Sequence, residues 1–538
     1  MRPYFLMITW FFGLIGYGVQ GQNTFGYSVS LEPVVIPNLP GIHSYAFAQH
    51  EGKWLIIGGR RDGIHARQPN ASFPQAANNT EIMVIDVNER RFWRTSVNNL
   101  SGRLAEQMQS TNMNFYQDGD TLYLTGGYGF SATANDHITF PHLTSVRVSG
   151  LINAIVSGNN NIAPFFKQIT DDVFAVTGGQ MGKIGRFYYL VGGHRFDGRY
   201  NPMNNPTFTQ AYTNQIRKFT LNNSGTQLSY ANYSAVTDPI HLRRRDFNLL
   251  PQIFPDRSVG YTISAGVFQI NADLPFLYPV DITERGYTPV TSFSQYLSHY
   301  HSAKTCLYDS TANEMHTLFF GGISQYFYRD NTLVQDNLVP FVRTVSLLTR
   351  YADGTLKEFL LPVEMPGLKG AGSEFIPNPN LPQYPSKIFK LNNINQNSFI
   401  VGHILGGINS PSANPFSANQ TNTTTADASI YAVRLTKTAP LSAAEMDGKH
   451  NYGVKLSPNP ATTEIRAEFY LNRPVHVQYF ITDSSGRIVA AEKNLTVVVA
   501  GDNRLNISLP AHLPPQVLTV TMIFDKRYYF TQKIVKTP

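Results

Sequence analysis

Six times along this chain an apolar run ends in a pair of small residues. WLIIGG closes at Gly59, LYLTGG at Gly127, FYYLVGG at Gly193, HTLFFGG at Gly322 and VGHILGG at Gly407. The first three copies lie about 67 residues apart, and the gap from 193 to 322 is near twice that. Midway through it, VGYTISAG (259–266) carries Ser-Ala-Gly where the others have Gly-Gly. A unit repeated at such a period cannot bury its apolar face alone and must stack on copies of itself.

Each copy carries more than its glycines. Upstream lies a second strand-like segment with a turn: HSYAFAQHEGK before WLIIGG, NMNFYQDGD before LYLTGG and HSAKTCLYDSTANE before MHTLFFGG. Downstream come a third strand and often a fourth, as in EIMVIDVNERRFWRTSV, QIRKFTLNNSGTQLSYANY and TVSLLTRYADGTLKEFLLP, with NNSG and ADG as hairpin turns. Four antiparallel strands per unit, repeated radially, form the blade of a β-propeller. The second strand is apolar on both faces because it lies between neighbouring sheets, and glycine suits its end, where backbones approach closely. A fold of this kind also agrees with 15% charged residues, 41 Gly and 33 Pro.

With Asp86 seven residues before Trp93, Arg103 after it and the next Gly-Gly at 126, residues 25–440 resemble the kelch family. His43-Ser44 and His301-Ser302 match the family's strand-opening position. The last unit shows one clear strand, SIYAVRL, after its Gly-Gly, so the expectation is an all-β chain with a six-bladed kelch-like propeller over 22–436. Its ring is expected to be closed by an N-terminal strand from about 25–37.

The ends of the chain read differently. MRPYFLMITWFFGLIGYGVQGQ has a basic Arg2, an apolar run and a Val19-Gln20-Gly21 cleavage pattern, a secretory signal over 1–21. No other segment approaches the length of a membrane-spanning helix, so no integral membrane segment is expected in the mature chain. Residues 437–453 are small, polar and turn-rich, a linker. From 454 to 538 short alternating runs read as about seven strands of a β-sandwich. This segment resembles the C-terminal sorting domain of the bacterial type IX secretion system. The marks are Pro458-Asn459-Pro460, Asp483-Ser484-Ser485-Gly486-Arg487, Ile507-Ser508-Leu509 and Gln532-Lys533-Ile534-Val535. Where that family carries Gly-x-Tyr, this chain has Pro515-Gln516-Val517-Leu518. The resemblance implies passage through the outer-membrane type IX machinery and release or attachment at the cell surface.

Charge and cysteine narrow the chemistry. The net charge of +7 is spread thinly, with Arg243-Arg244-Arg245 the one basic cluster, which disfavours a nucleic-acid partner. A single cysteine, Cys306, excludes an intrachain disulfide and a cysteine-based zinc site. Kelch-type copper oxidases use a Cys-linked Tyr with two His, but Cys306 in the alternating strand AKTCLYD reads as a buried thiol, so no metal or other cofactor is expected.

Candidate site residues sit where strands enter and where loops leave the paired glycines. His299 and His301 in SHYH alternate and would face one side as metal ligands do, although repeat geometry explains the His-Ser pair equally. Arg243, Arg245 and Asp246 enter the fourth unit, where an arginine fork would hold an acidic sugar or form an inter-blade ion pair. His43, Arg60, Arg61, His194 and Arg195 flank the first and third copies and are candidates for ligand contact. The long segments 60–79, 195–212 and 408–427 all follow a Gly-Gly and carry the polar and aromatic residues of a recognition face. Two functions remain open: binding of a glycan or protein, which is favoured, or an enzyme on sugars (mutarotase, lyase or copper oxidase) using Arg245 and His301.

Overall fold

The computed structural model describes residues 24–438, apart from 69, 204–206 and 331, and residues 452–538, apart from 472, 484–487 and 525–527. The proposed signal, 1–21, and most of the linker lie outside the described residues, as does most of the Asp483–Arg487 hairpin. The chain forms two compact units, one up to Thr438 and one from Ala439.

The first unit is all-β and of propeller type. It contains six successive antiparallel sheets, each with a core of four strands. The first sheet runs Ala46–His50, Lys53–Ile57, Glu81–Asp86 and Arg91–Ser96, in that order from one edge to the other. The innermost strands of the next five are Asn114–Asp118, Gln180–Ile184, Asn248–Ile253, Ala303–Asp309 and Glu374–Pro377. In the sixth sheet the outermost strand comes from the chain's start: Tyr27–Val34 lies antiparallel to Ile430–Lys437, Tyr27 opposite Lys437 and Val34 opposite Ile430. Alternate residues Tyr27, Val29 and Leu31 turn onto the core shared by the fifth and sixth sheets.

Two sets of backbone hydrogen bonds tie the sheets together. In the first, the second glycine of each pair donates to the next sheet: Gly59 to Ser110 O at 2.9 Å, Gly127 to Val176 O at 3.1 Å, Gly193 to Arg244 O at 2.7 Å. Gly266, Gly322 and Gly407 donate likewise to His299, Lys369 and Ile42. Both residues of each pair have positive φ, +65° and +88° at Gly126 and Gly127. A Cβ on Gly58 would come 2.6 Å from Ser110 O. The paired glycines are therefore a joint between sheets, and the variant copy forces Ala265 to φ +49° at the same place.

The second set closes on itself. Ser44 N–H donates to Gly372 O (2.8 Å), Asn112 to Ser44 (3.0 Å) and Gly178 to Asn112 (3.3 Å). Asp246 then donates to Gly178 (2.7 Å), His301 to Asp246 (2.7 Å) and Gly372 to His301 (3.0 Å). Each of these residues stands two positions before an innermost strand, so a hoop of backbone encircles one end of the axis. Five of the six, all but His301, have positive φ.

Two features depart from the sequence expectation. Residues 195–212 are not a free loop: His194–Gly198 and Phe208–Tyr212 form a hairpin, joined through the single pair Asp197–Ile138 to the strands Tyr128–Ser131 and Asp136–Thr139. The stretch VSGLINAIV folds as a helix, Val148–Val156, because Val148, Leu151, Ile152 and Ile155 recur at helical spacing and bury one face in the core of the first two sheets.

The C-terminal unit has a three-stranded and a four-stranded antiparallel sheet around one apolar core that includes Ile465, Phe469, Val520 and Phe524. Among the described residues, no helix is long and apolar enough to cross a membrane.

Candidate functional site at the hoop

The hoop brings its own residues and their neighbours to one place. A Cβ on Gly178 would lie 2.9 Å from Asp246 Oδ1 and 3.4 Å from His194 Nε2. The space over this glycine is thus where the third and fourth sheets present an acid, a histidine and Arg245. Arg245 Nη1 is 3.7 Å from Asp246 Oδ2, its guanidinium lies 5.1 Å over the Phe268 ring, and its Nε is buried without a hydrogen-bond partner. Burial acts against the charge of Arg245. The phenol oxygen of Tyr212 together with Asp246, Tyr200 and Tyr300 favours it, and the balance holds the guanidinium firmly protonated. Burial pushes the Asp246 carboxyl up, opposed by Arg245 and His301.

A second set of charges completes the floor. Glu374, buried, stands between a histidine and a lysine: Oε1 is 2.9 Å from His301 Nε2, out of hydrogen-bond alignment, and Oε2 is 3.6 Å from Lys304 Nζ. Burial would raise this carboxyl, but Lys304 and His301 bring it below its ordinary value. On the first sheet Arg60 grips Asp62 with both arms of its fork, at 2.8 and 2.6 Å, while His43 Nε2 lies 3.8 Å from Asp62. Burial raises the Asp62 carboxyl, and the nearby His43 together with the Arg60 fork outweighs it, leaving about 2.

Arg245, Asp246, His194 and His301 therefore meet through the hoop, and His43 belongs to the same rim. Others are held elsewhere. Arg243 donates to Phe268 O at 2.6 Å and lies over Tyr212 at 3.9 Å. Arg244 is fully buried, giving its hydrogens to the carbonyls of His241, Ala265 and Tyr278. Arg61 is committed to Asn79 and Glu81, and Arg195 to Asp197 and Asp172.

His299 and His301 do not share a face. Residues 298–302 precede the strand that begins at Ala303, so the alternation of a strand does not extend to them. His299 turns inward, its Nε2 2.9 Å from Gln295 O and its Nδ1 accepting from Gln325 N–H, and burial lowers it to about 4. Among the described residues no group of three His, Cys, Asp or Glu is placed to hold a metal ion.

Sequence reasoning misses Glu374, Asp62 and the tyrosines 200, 212 and 300. Glu374 opens a four-residue strand, EFIP, too short to read as a strand on its own. Asp62 had a signal, since it follows Arg60 by two residues at a paired-glycine exit, the spacing at which a fork closes on a carboxylate. The tyrosines converge from separate segments of the chain, and no spacing in the sequence records this.

Above the hoop, loops from several sheets meet. His65 stacks on Phe73 and packs edge-on to Tyr200 and Phe416, while Arg67 donates to the Phe416 and Ser417 carbonyls. Burial, then the field of Arg245, lowers His65 to about 4. Burial, again followed by Arg245, puts His194 well below the usual histidine range. Arg245 is thus the fixed cation beside which the imidazoles of His65 and His194 stay neutral at physiological pH.

Below the hoop a cavity of about 180 Å³ runs along the axis. Its walls include the residues three places past the hoop on five inner strands: Phe47, Phe115, Leu249, Lys304 and Phe375. Cys306 also borders it, a buried thiol raised by burial to about 12.

No family model matches the chain, and no curated protein matches it. Among solved structures, both of propeller type, it is similar to one titled "Structure of YjhT", at 11% identity and a TM-score of 0.42, covering 75% of this chain and 99% of that one. It is also similar to a glycoside hydrolase family 43 arabinoxylan arabinofuranohydrolase from Bacillus subtilis in complex with cellotetraose. That match has 10% identity and a TM-score of 0.28, covering 93% of this chain and 95% of that one.

Proposed function

We propose that the six sheets are the blades of a kelch-like propeller that recognises an acidic glycan at its hoop end. The observation that carries this reading is Arg245, a partly buried cation among three tyrosines with a buried, unpartnered Nε and its nearest carboxylate only at 3.7 Å. A sugar carboxylate would complete the fork, and Tyr200, Tyr212 and Phe268 offer ring faces and hydroxyls for the rest of a pyranose. In the same reading, residues 1–21 direct export and the 454–538 β-sandwich hands the chain to the type IX machinery, for release or attachment at the cell surface.

A second reading is favoured by one specific contact. The approach of His301 to Glu374 is the arrangement of an acid–base pair, and with Arg245 to hold the substrate it would suit a sugar mutarotase or lyase. Solution NMR of the full chain with neutral and acidic sugars separates the two. Saturation transfer to an acidic sugar with an unchanged spectrum, abolished in Arg245→Gln, is the expected outcome. New or exchange-averaged anomeric signals would establish turnover instead. Silence with every sugar would leave a protein ligand as the partner.

A further inference from the structure

The axial cavity lies below the hoop site and shares Lys304 with its floor, but its chemistry differs. The rings of Phe47, Phe115 and Phe375 dominate its wall. Within this apolar layer stands one charged group, Lys304, whose ion-pair partner is Glu374 Oε2 at 3.6 Å, beyond hydrogen-bond length. Glu374 itself is shared with His301. A second ammonium, that of Lys387, borders the same space from the turn 384–388 and makes no hydrogen bond or ion pair among the described residues. Lys387 is exposed, so the cavity reaches solvent there. Asp118, the acid whose field reaches Lys387, is already held by Lys183 and Tyr188. Gln49 adds a buried Oε1 with no partner.

We propose that this cavity binds a small anion with a flat apolar body, of the class of monocyclic aromatic carboxylates, its ring among the three phenylalanines and its carboxylate toward Lys304 and Lys387. Size sets one limit. A cavity slightly larger than the roughly 150 Å³ that accommodates benzene takes a single ring with a short substituent. Polarity sets another. A pyranose carries several hydroxyls, and phenyl walls would leave most of them without partners. A neutral hydrocarbon would fill the space but desolvate Lys304 without supplying a counter-charge. An aryl carboxylate meets both demands.

The test is fluorine NMR of the full chain titrated with 4-fluorobenzoate, and with neutral 4-fluorobenzamide as its isostere. The expected result is saturable shift or broadening with the benzoate and binding weaker by about tenfold or more for the amide. Lys387→Met, at an exposed position, should weaken the benzoate severalfold without affecting the fold. Phe115→Trp should fill the cavity and abolish binding. Arg245→Gln should leave binding unchanged, which separates this site from the hoop site whichever way the sugar experiment falls. Absence of a response to the benzoate, equal affinity for the amide, or insensitivity to both cavity substitutions overturns the proposal.

Discussion

Ala265 holds a conformation that its five counterparts leave to glycine. A left-handed alanine costs roughly 1–2 kcal/mol, and the extra freedom of glycine in the unfolded chain takes back part of that. Ala265→Gly should therefore stabilise the protein by up to about 1 kcal/mol, read as a shift in the denaturant midpoint at constant slope. The reverse change belongs to the same argument. Gly126→Ala drives a Cβ into Val176 O, backbone that cannot step aside, and soluble folded protein should be largely lost.

Asp62 makes a prediction about acid. Its carboxyl is held at about 2 in the folded chain, against 3.8 ordinarily. A depressed folded value means that the stabilisation is fully present above the unfolded value and is lost as pH falls through the folded one. Between about pH 4 and pH 2 the ion pair with Arg60 should give up to about 2 kcal/mol of stability away. Denaturation of the protein and of Asp62→Asn across that range should show their difference shrinking as pH falls.

At the scale of elements, the strand Tyr27–Val34 is bonded to the last strand of its unit rather than to its sequence neighbours. Removing residues 24–34 would strip Phe25, Tyr27, Val29 and Leu31 from the core and expose the edge of Ile430–Lys437. A loss of several kcal/mol is expected, measured by chemical denaturation, with a tendency to self-associate through the bared edge. Elements also show what a sequence can and cannot carry. Strands with paired-glycine ends are legible because each glycine answers a local demand, the positive φ and the close approach, and that demand recurs with the period. The helix Val148–Val156 and the hairpin at 194–212 depend on what they pack against. The two histidines of SHYH looked alike because alternation assumes a strand, whereas both precede the one that begins at Ala303 and stand in different surroundings.

For the whole molecule, sites are assembled from all round the axis. Lys304, Phe47, Phe115 and Phe375 are far apart in sequence yet occupy the same level past the hoop, so the axial wall follows from repeat register. The hoop cluster is less legible, since Glu374 and the tyrosines arrive on a short strand and on irregular loops. Because inner strands pack on their neighbours around the axis, damage at one joint should be felt by the whole ring. Unfolding of residues 24–438 should then be a single transition, with hydrogen exchange at Ser44, Asp246 and Gly372 slowed to a common rate despite their separation in sequence. Distinct rates at the three would show that the sheets open one at a time.

The hoop has a consequence for how any guest is read. Loops that cradle anions elsewhere do so with free amides, which recognise charge whatever the side chains are. Here all six amides of the encircling backbone are spent on one another, so none greets a visitor on the axis. Discrimination at this portal is left to interchangeable groups, Arg245 and its aromatic company. A ligand preference at this portal, on the reading proposed above, can then be rewritten by substitution while the frame stays as it is.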